Sequence, residues 1–333
     1  MSAGPRHVLG DYVPILTAVL LWGWGTPLYK YMQAHGIDPL TLVFYRVFSS
    51  TAVLGAWVCW KRRAALSHVL RRPARFMLMG ALFTGGLVAF TAGTYGSTAT
   101  LSMLITRAIP LISIGLSALL FHDERRLVRR RGFQAGFVLA LGGLLGLILL
   151  RDPRVAASST SLVLLLATAV LWGSYSPCAK AWLKGHDAFA VSTLVFALAA
   201  ALTLPLAAWK GDLAWPAHAP LTPVLVMLAS GPVLMGFTEG LFYVSVERLG
   251  LAPSTAMTLV VPPLTLLYAW PLLGEEPTLE LVLLGGVLIG GLALIVRSRG
   301  RLLQELGATV EPVTSREGGG AATAGVVKGK DEV

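Results

Sequence analysis

Ten runs of roughly 20 mostly apolar residues fill this chain, each long enough to cross the hydrocarbon core of a bilayer. They lie at Tyr12–Met32, Pro39–Trp60, Phe76–Thr94, Thr98–Phe121, Phe133–Leu150, Ser161–Leu183, Ala188–Trp209, Pro223–Val246, Ala252–Leu273 and Leu279–Val296. A transmembrane β-barrel needs shorter segments in which polar and apolar residues alternate, and these runs do not alternate. The fold class is therefore all-α: a polytopic membrane protein with ten transmembrane helices. Only 13% of the residues are charged, against roughly 25% in soluble domains, too few to cover a water-facing surface.

The formal charge of +10 could suggest a nucleic-acid partner. Nucleic acid requires the basic residues on one solvated face, whereas here they fill short breaks between apolar runs, as membrane topology places them. The bilayer is the partner they imply. Cys59 and Cys178 lie far apart inside apolar runs, without metal-ligand or disulfide spacing, and read as small buried hydrophobes. The first run ends without an A-x-A-type cleavage site, so it reads as a membrane helix and not a signal peptide.

Basic residues also set the orientation. With the N-terminus in the cytoplasm, 20 Lys and Arg fall on the inner side and only Arg151, Arg154 and Lys210 on the outer. The inner set includes six between the second and third helices and five between the fourth and fifth. The expected location is thus the plasma (cytoplasmic) membrane, with both termini cytoplasmic. Beyond Val296 the chain turns polar and rich in small residues that can bury nothing, which predicts a disordered tail over 301–333.

A shift of 150 residues pairs Trp22-Gly23 with Trp172-Gly173, Thr26-Pro27 with Ser176-Pro177, and Lys30 with Lys180. A shift of 152 pairs Ser102 with Ser254, Thr106 with Thr258, Pro110 with Pro262 and Glu124 with Glu276. The chain is therefore two copies of one five-helix unit, over 1–150 and 151–300. Because five is odd, the second copy enters the membrane upside down. Inverted repeats of this kind are a recurring transporter design, with the substrate site near the midplane between them.

The W-G-x-x-[ST]-P openings at Trp22 and Trp172, Phe44-Tyr45-Arg46, and the stretches from Pro110 to Glu124 and Pro262 to Glu276 resemble the drug/metabolite transporter superfamily, in its EamA-type branch. The resemblance covers about residues 12–297 and implies a small-molecule transporter. His122-Asp123-Glu124 stands where a Gly-Glu is usual, a local loop variation. The glycine-rich fifth and tenth helices imply, by the same resemblance, a bundle-stabilising or homodimer contact.

Proline inside a helix frees the carbonyl four residues back. Pro27, Pro177, Pro110 and Pro262 thereby free Gly23, Gly173, Thr106 and Thr258, and in lipid such groups survive only against protein or a water-filled cavity. These four prolines are read as hinges, and Thr106 and Thr258 as cavity residues. A charge at mid-helix costs about 2.5–3.5 kcal/mol on insertion scales, so Arg46, Arg107 and Glu239 each need a reason. Arg107 has Leu259 as its repeat counterpart, an asymmetry that suits holding a substrate carboxylate; internal pairing with Glu239 or with the freed carbonyls is the alternative. Glu239 suits a proton-coupling site, a cation contact or simple charge compensation. Arg46 matches a position where the family usually carries Arg and reads as scaffold, snorkelling to the outer interface. Lys30 and Lys180 also read as snorkelling. Trp22, Trp172 and Tyr175 are candidates for the walls of an amphipathic pocket, as are Trp24, Phe237 and Phe242.

The six histidines lie outside or at the edges of the apolar runs, and no P-loop, H-E-x-x-H or D-D-x-x-D motif is present. An enzyme, such as a membrane-embedded transferase, would need such a cluster, and no cofactor is expected. The reading is a secondary transporter, an exporter of small metabolites such as amino acids or related carboxylates, with efflux of cationic or amphipathic drugs as the alternative.

Overall fold

Side-chain caps start the helices where the sequence supplies them. Helix α3 (Pro39–Lys61) begins with Asp38, whose carboxylate accepts the Leu40 and Thr41 amides at 2.9 Å, and with proline at the first helical position. Helix α10 (Ala188–Lys210) begins the same way on Asp187, which accepts the amides of Phe189 and Ala190. Helix α9 (Ser159–Leu183) is capped by Ser158. Asp38 and Asp187 are repeat-equivalent positions of the two units, and they build the same local structure from the same chemistry. The computed structural model describes residues 6–71, 73–97, 102, 105–106, 108–151, 158–261, 263–265, 267–268 and 279–305.

The remaining elements are α1 (Arg6–Trp22), α2 (Gly25–Ala34), α4 (Arg63–Leu70), α5 (Pro73–Tyr95), α6 (Ala108–Leu120), α7 (His122–Val128), α8 (Arg131–Arg151), α11 (Trp215–His218), α12 (Leu221–Gly231), α13 (Phe237–Leu249), α14 (Leu251–Met257) and α15 (Leu279–Glu305). A π-helical turn, Pro232–Gly236, joins α12 to α13, and a 3-10 turn, Thr258–Val260, follows α14. Six of the described helical spans are long and apolar enough to cross a membrane. The described residues form helices and short turns, in agreement with the all-α expectation. The α9 positions Val163, Leu166 and Val170 recur at helical spacing and stay exposed, giving that helix an apolar outer stripe of the kind that faces lipid.

Three predicted helices are interrupted rather than continuous. The first run divides into α1 and α2 at Gly23-Trp24, because Pro27 lacks the amide that would bond the Gly23 carbonyl. The eighth is broken at Pro232, where the missing amide widens the turn. The ninth tightens at Thr258, four residues before Pro262. At the far end, helix α15 continues to Glu305, which pairs with Arg130 just before α8, so residues 301–305 of the expected tail are helical. The rest of that tail lies outside the described residues.

Helices α3 and α10 lie antiparallel and are fastened at both ends. Asp38 Oδ2 and Thr41 Oγ1 accept the Asp212 amide at 3.0 and 2.9 Å, tying the start of α3 to the end of α10. At the other end Arg62 pairs with Asp187. Helices α8 and α15 pack through their backbones: a Cβ on Gly291 would lie 2.5 Å from the Gly136 carbonyl oxygen and the Ala140 nitrogen. Gly143 is equally close to Leu284 and Leu288, while Gly142, Gly285, Gly286 and Gly290 meet nothing within 4 Å. Cys59 is exposed rather than buried, and Cys178 is half-buried against the core.

This packing predicts a one-residue contrast. Gly291→Leu forces backbones apart and should lower the melting temperature in detergent, with a loss of about 1–3 kcal/mol. Gly290→Leu points into open space and should leave it unchanged; thermal unfolding of the two purified variants decides.

Candidate functional site

The interruptions converge on one cavity. It has a volume of about 240 Å³ and lies between the two units. Its wall is built from the α1–α2 break (Trp22, Thr26, Tyr29), α3 (Arg46), α5 (Phe83, Leu87, Phe90) and α6 (Pro110) of the first unit. The second unit supplies α9 (Trp172, Tyr175, Ser176), the π turn and α13 (Leu234, Met235, Glu239, Phe242), and the α14 segment (Thr255, Thr258). The break in the first helix is itself stabilised across the repeats. Thr265 Oγ1 donates to the freed Gly23 carbonyl at 2.9 Å, and Tyr268 packs where a Gly23 side chain would stand.

Arg46 is the outstanding charge of this cavity. It is 2% exposed, and its guanidinium lies 4.9 Å from the centroid of the Tyr29 ring. Its Nε and Nη1 meet no hydrogen-bond partner among the described residues. A buried guanidinium with unmet donors is costly, and an anion entering the cavity would satisfy them. Its position is fixed by close backbone contact, because a Cβ on Gly231 would stand 2.2 Å from the Arg46 carbonyl oxygen.

Glu239 is 8% exposed and lies eight residues beyond Gly231, roughly 12 Å further along the helix at 1.5 Å per residue. Its Oε1 accepts a hydrogen bond from the Tyr175 hydroxyl at 2.8 Å, and that hydroxyl also meets Tyr243, one turn beyond Glu239. With Tyr175 donating to the carboxylate, Tyr243 donates to Tyr175, so the three form a directed chain between α9 and α13. Among the described residues no basic side chain pairs with Glu239. Among the described residues the cavity thus carries one cation and one carboxylate, at different depths.

The structure brings Trp22, Thr106, Pro110, Trp172, Tyr175, Glu239 and Thr258 to this one wall. Trp22 packs on Phe242 with ring centroids 5.8 Å apart, and Trp172 packs on Phe90 at 5.4 Å. Pro177 is buried in α9 beside the cavity residue Ser176, and Pro27 sits in the first turn of α2. Arg107 and Pro262 lie outside the described residues. Trp24 and Phe237 are exposed and point elsewhere. Three readings need correction. Arg46 does not snorkel but is buried in the cavity, because α12 crowds its backbone. Lys180 is ion-paired with Glu124, and Lys30 donates to the Thr94 and Ser97 carbonyls. Tyr29, Phe83, Phe90 and Tyr243 carried no isolated signal in the sequence.

A helical bundle of two matched units, with a partly polar cavity between them and an apolar exterior, is the architecture of a multi-pass membrane transporter. The model of the EamA-like transporter family matches residues 12–149 and again 159–297, and the chain belongs to that family. It is similar to a Streptantibioticus cattleyicolor protein named "Probable terminal-alkyne amino-acid exporter", 31% identical over 85% of this chain and 92% of that one. It is also similar to the Escherichia coli (strain K12) inner membrane transporter YhbE, 24% identical over 80% of this chain and 84% of the other. A solved crystal structure at 20% identity superposes with a TM-score of 0.73, covering 88% of this chain and 98% of that one, which shows the shared fold. The family is one of transporters, not enzymes.

The tyrosine chain gives a measurable coupling. Tyr175→Phe leaves the buried Tyr243 hydroxyl and the Glu239 carboxylate short of a partner and should cost about 1–3 kcal/mol. Adding Tyr243→Phe should cost less than its effect alone, so a double-mutant cycle on detergent stability should return a coupling above about 0.5 kcal/mol. Strict additivity would show that the hydroxyls do not act as a unit.

Proposed function

We propose that this protein exports amino acids or related small carboxylates by alternating access, with Arg46 holding the carboxylate. The observation that carries this reading is the buried Arg46 guanidinium, facing the cavity between the repeats with two nitrogens unmet among the described residues. A site retains an unpaired buried charge at a cost to stability when its partner is the ligand. The aromatic wall of Trp22, Trp172, Phe83 and Phe90 would take the apolar body of the substrate. The volume of about 240 Å³ falls below the roughly 300–1,000 Å³ typical of drug-sized pockets, which favours a small metabolite over a drug.

Glu239 has two tasks compatible with its place: receiving a substrate ammonium group or carrying a coupling proton. The roughly 12 Å between the Arg46 and Glu239 levels favours the proton for an ordinary α-amino acid, whose two charged groups are adjacent. The Tyr243–Tyr175–Glu239 chain supplies the hydrogen-bonded path such a proton needs. Export as the direction follows the name of the Streptantibioticus relative, and the excess of Lys and Arg on one side supports cytoplasmic termini. A cationic-drug carrier would suit Glu239 alone, and Arg46 beside the same cavity argues against it.

Uptake into proteoliposomes of a labelled amino-acid and organic-acid panel, with and without a pH gradient, tests the assignment. Arg46→Met keeps the side-chain volume and should weaken apparent affinity for carboxylates about 10- to 100-fold, while leaving the melting temperature equal or higher. Glu239→Gln should abolish stimulation by the pH gradient and retain downhill exchange. Arg107→Ala belongs in the same assay, since its repeat asymmetry suits the same task. Normal carboxylate flux through Arg46→Met, or movement of cations only, would refute the anion-site reading.

A further inference from the structure

At the end of the cavity beyond Tyr243, one carboxylate joins three elements from both repeats. Glu124, at the start of α7 and 2% exposed, accepts the Leu251 amide at 2.5 Å and the Ala252 amide at 3.0 Å. It also meets Lys180 Nζ of α9 at 2.6 Å. The Lys180 ammonium lies 2.5 Å from Asp123 and 4.8 Å from the centroid of the Phe121 ring. Burial pushes the Asp123 carboxyl up, and the hydrogen bond and charge of Lys180 outweigh it, leaving Asp123 below its ordinary range. Gly250 completes the fit. Its φ of +89° turns α13 into α14, and a Cβ there would stand 2.8 Å from Glu124 Oε1.

The elements so joined are those that wall the cavity. Glu124 follows α6, which carries Pro110 in its first turn; Lys180 lies in the last turn of α9, which carries Tyr175; and Leu251 opens the segment that carries Thr255 and Thr258. The other end of the cavity is not held in this way. Lys30, the repeat counterpart of Lys180, meets Gln33 and the carbonyls of Thr94 and Ser97, and among the described residues it meets no carboxylate. Two units of one design therefore carry the same lysine in two states, ion-paired at one end and carbonyl-bound at the other.

We propose that Glu124, Lys180 and the Leu251–Ala252 amides form the releasable gate at this end of the transport path. Closed, it pins the ends of α6 and α14 together; released, the two segments part and the charges rehydrate in the water that enters. Charged groups suit this task because each state gives them a partner, protein in one and water in the other. The inference goes beyond the substrate assignment and holds whatever the cavity carries.

The test reads access to the cavity from each side of the membrane. In a Cys59→Ser/Cys178→Ala background, Val261→Cys places one thiol on the cavity wall. A membrane-impermeant thiol reagent is applied to sealed vesicles of both orientations. Glu124→Gln and Lys180→Met should each raise the labelling rate from the Lys180 side about tenfold and lower it from the opposite side. Equal labelling of parent and both variants from both sides would overturn the proposal and make the cluster a static brace, as would a loss of thermal stability with no shift in access. If Glu124→Gln does not accumulate as folded protein, Lys180→Met, which keeps both backbone bonds to Glu124, decides alone.

Discussion

A helix in hydrocarbon has no water to complete its backbone hydrogen bonds, so every interruption must be met by protein or open onto a cavity. That constraint organises this molecule. Pro27 frees the Gly23 carbonyl, and Thr265 of the other repeat supplies the missing donor. Pro232 opens a π turn at the level where α12 presses on Arg46, and the ninth helix tightens at Thr258. All three interruptions flank the same space. The cavity exists because irregular backbone has to be gathered somewhere, and gathering it between the repeats leaves the lipid-facing surfaces regular.

Charge follows the same economy. The exposed rims tolerate ion pairs such as Arg62–Asp187 and Arg130–Glu305, where water shares the cost. The interior has few ionisable groups, and their settings differ. Glu124 is saturated by two amides and a lysine, so it holds elements together. Among the described residues, Arg46 keeps unmet donors and Glu239 accepts from a single tyrosine. The degree of saturation separates a charge that fastens the fold from one left available to a ligand or a proton.

What the sequence made legible depended on covalent geometry and periodicity. The apolar runs, the proline-freed carbonyls and the internal repeat need no knowledge of neighbours, and the structure agrees with the helical class. The fate of Arg46 needed the rotation of α3 about its axis, which hydropathy cannot give, since a lipid-facing arginine and a cavity arginine lie in the same apolar run. One signal was available. The caps Asp38 and Asp187 align the second helices at a shift of 149, which sets Arg46 against Val195, the same asymmetry that marked Arg107. The pairing of Lys180 with Glu124 was hidden for another reason: the partners are 56 residues apart in different repeats, and only the packed bundle brings them together.

The heights of these groups along α12, the π turn and α13 give the cavity an order. Arg46 is level with the start of the π turn, Glu239 lies two turns further, Tyr243 one turn beyond that, and the helix ends at Gly250 against Glu124. A substrate held by Arg46 and a proton held by Glu239 would therefore act on one helix whose far end is tied by the Glu124 cluster. One helical run, from α12 through the π turn to α13, touches all three positions and lets occupancy at one bias the others without any longer path, provided it has two arrangements to choose between. The π turn at Pro232–Gly236 supplies the place where it can change, because it lies between Arg46 and Glu239 and lacks the regular bonding that stiffens the rest of the helix.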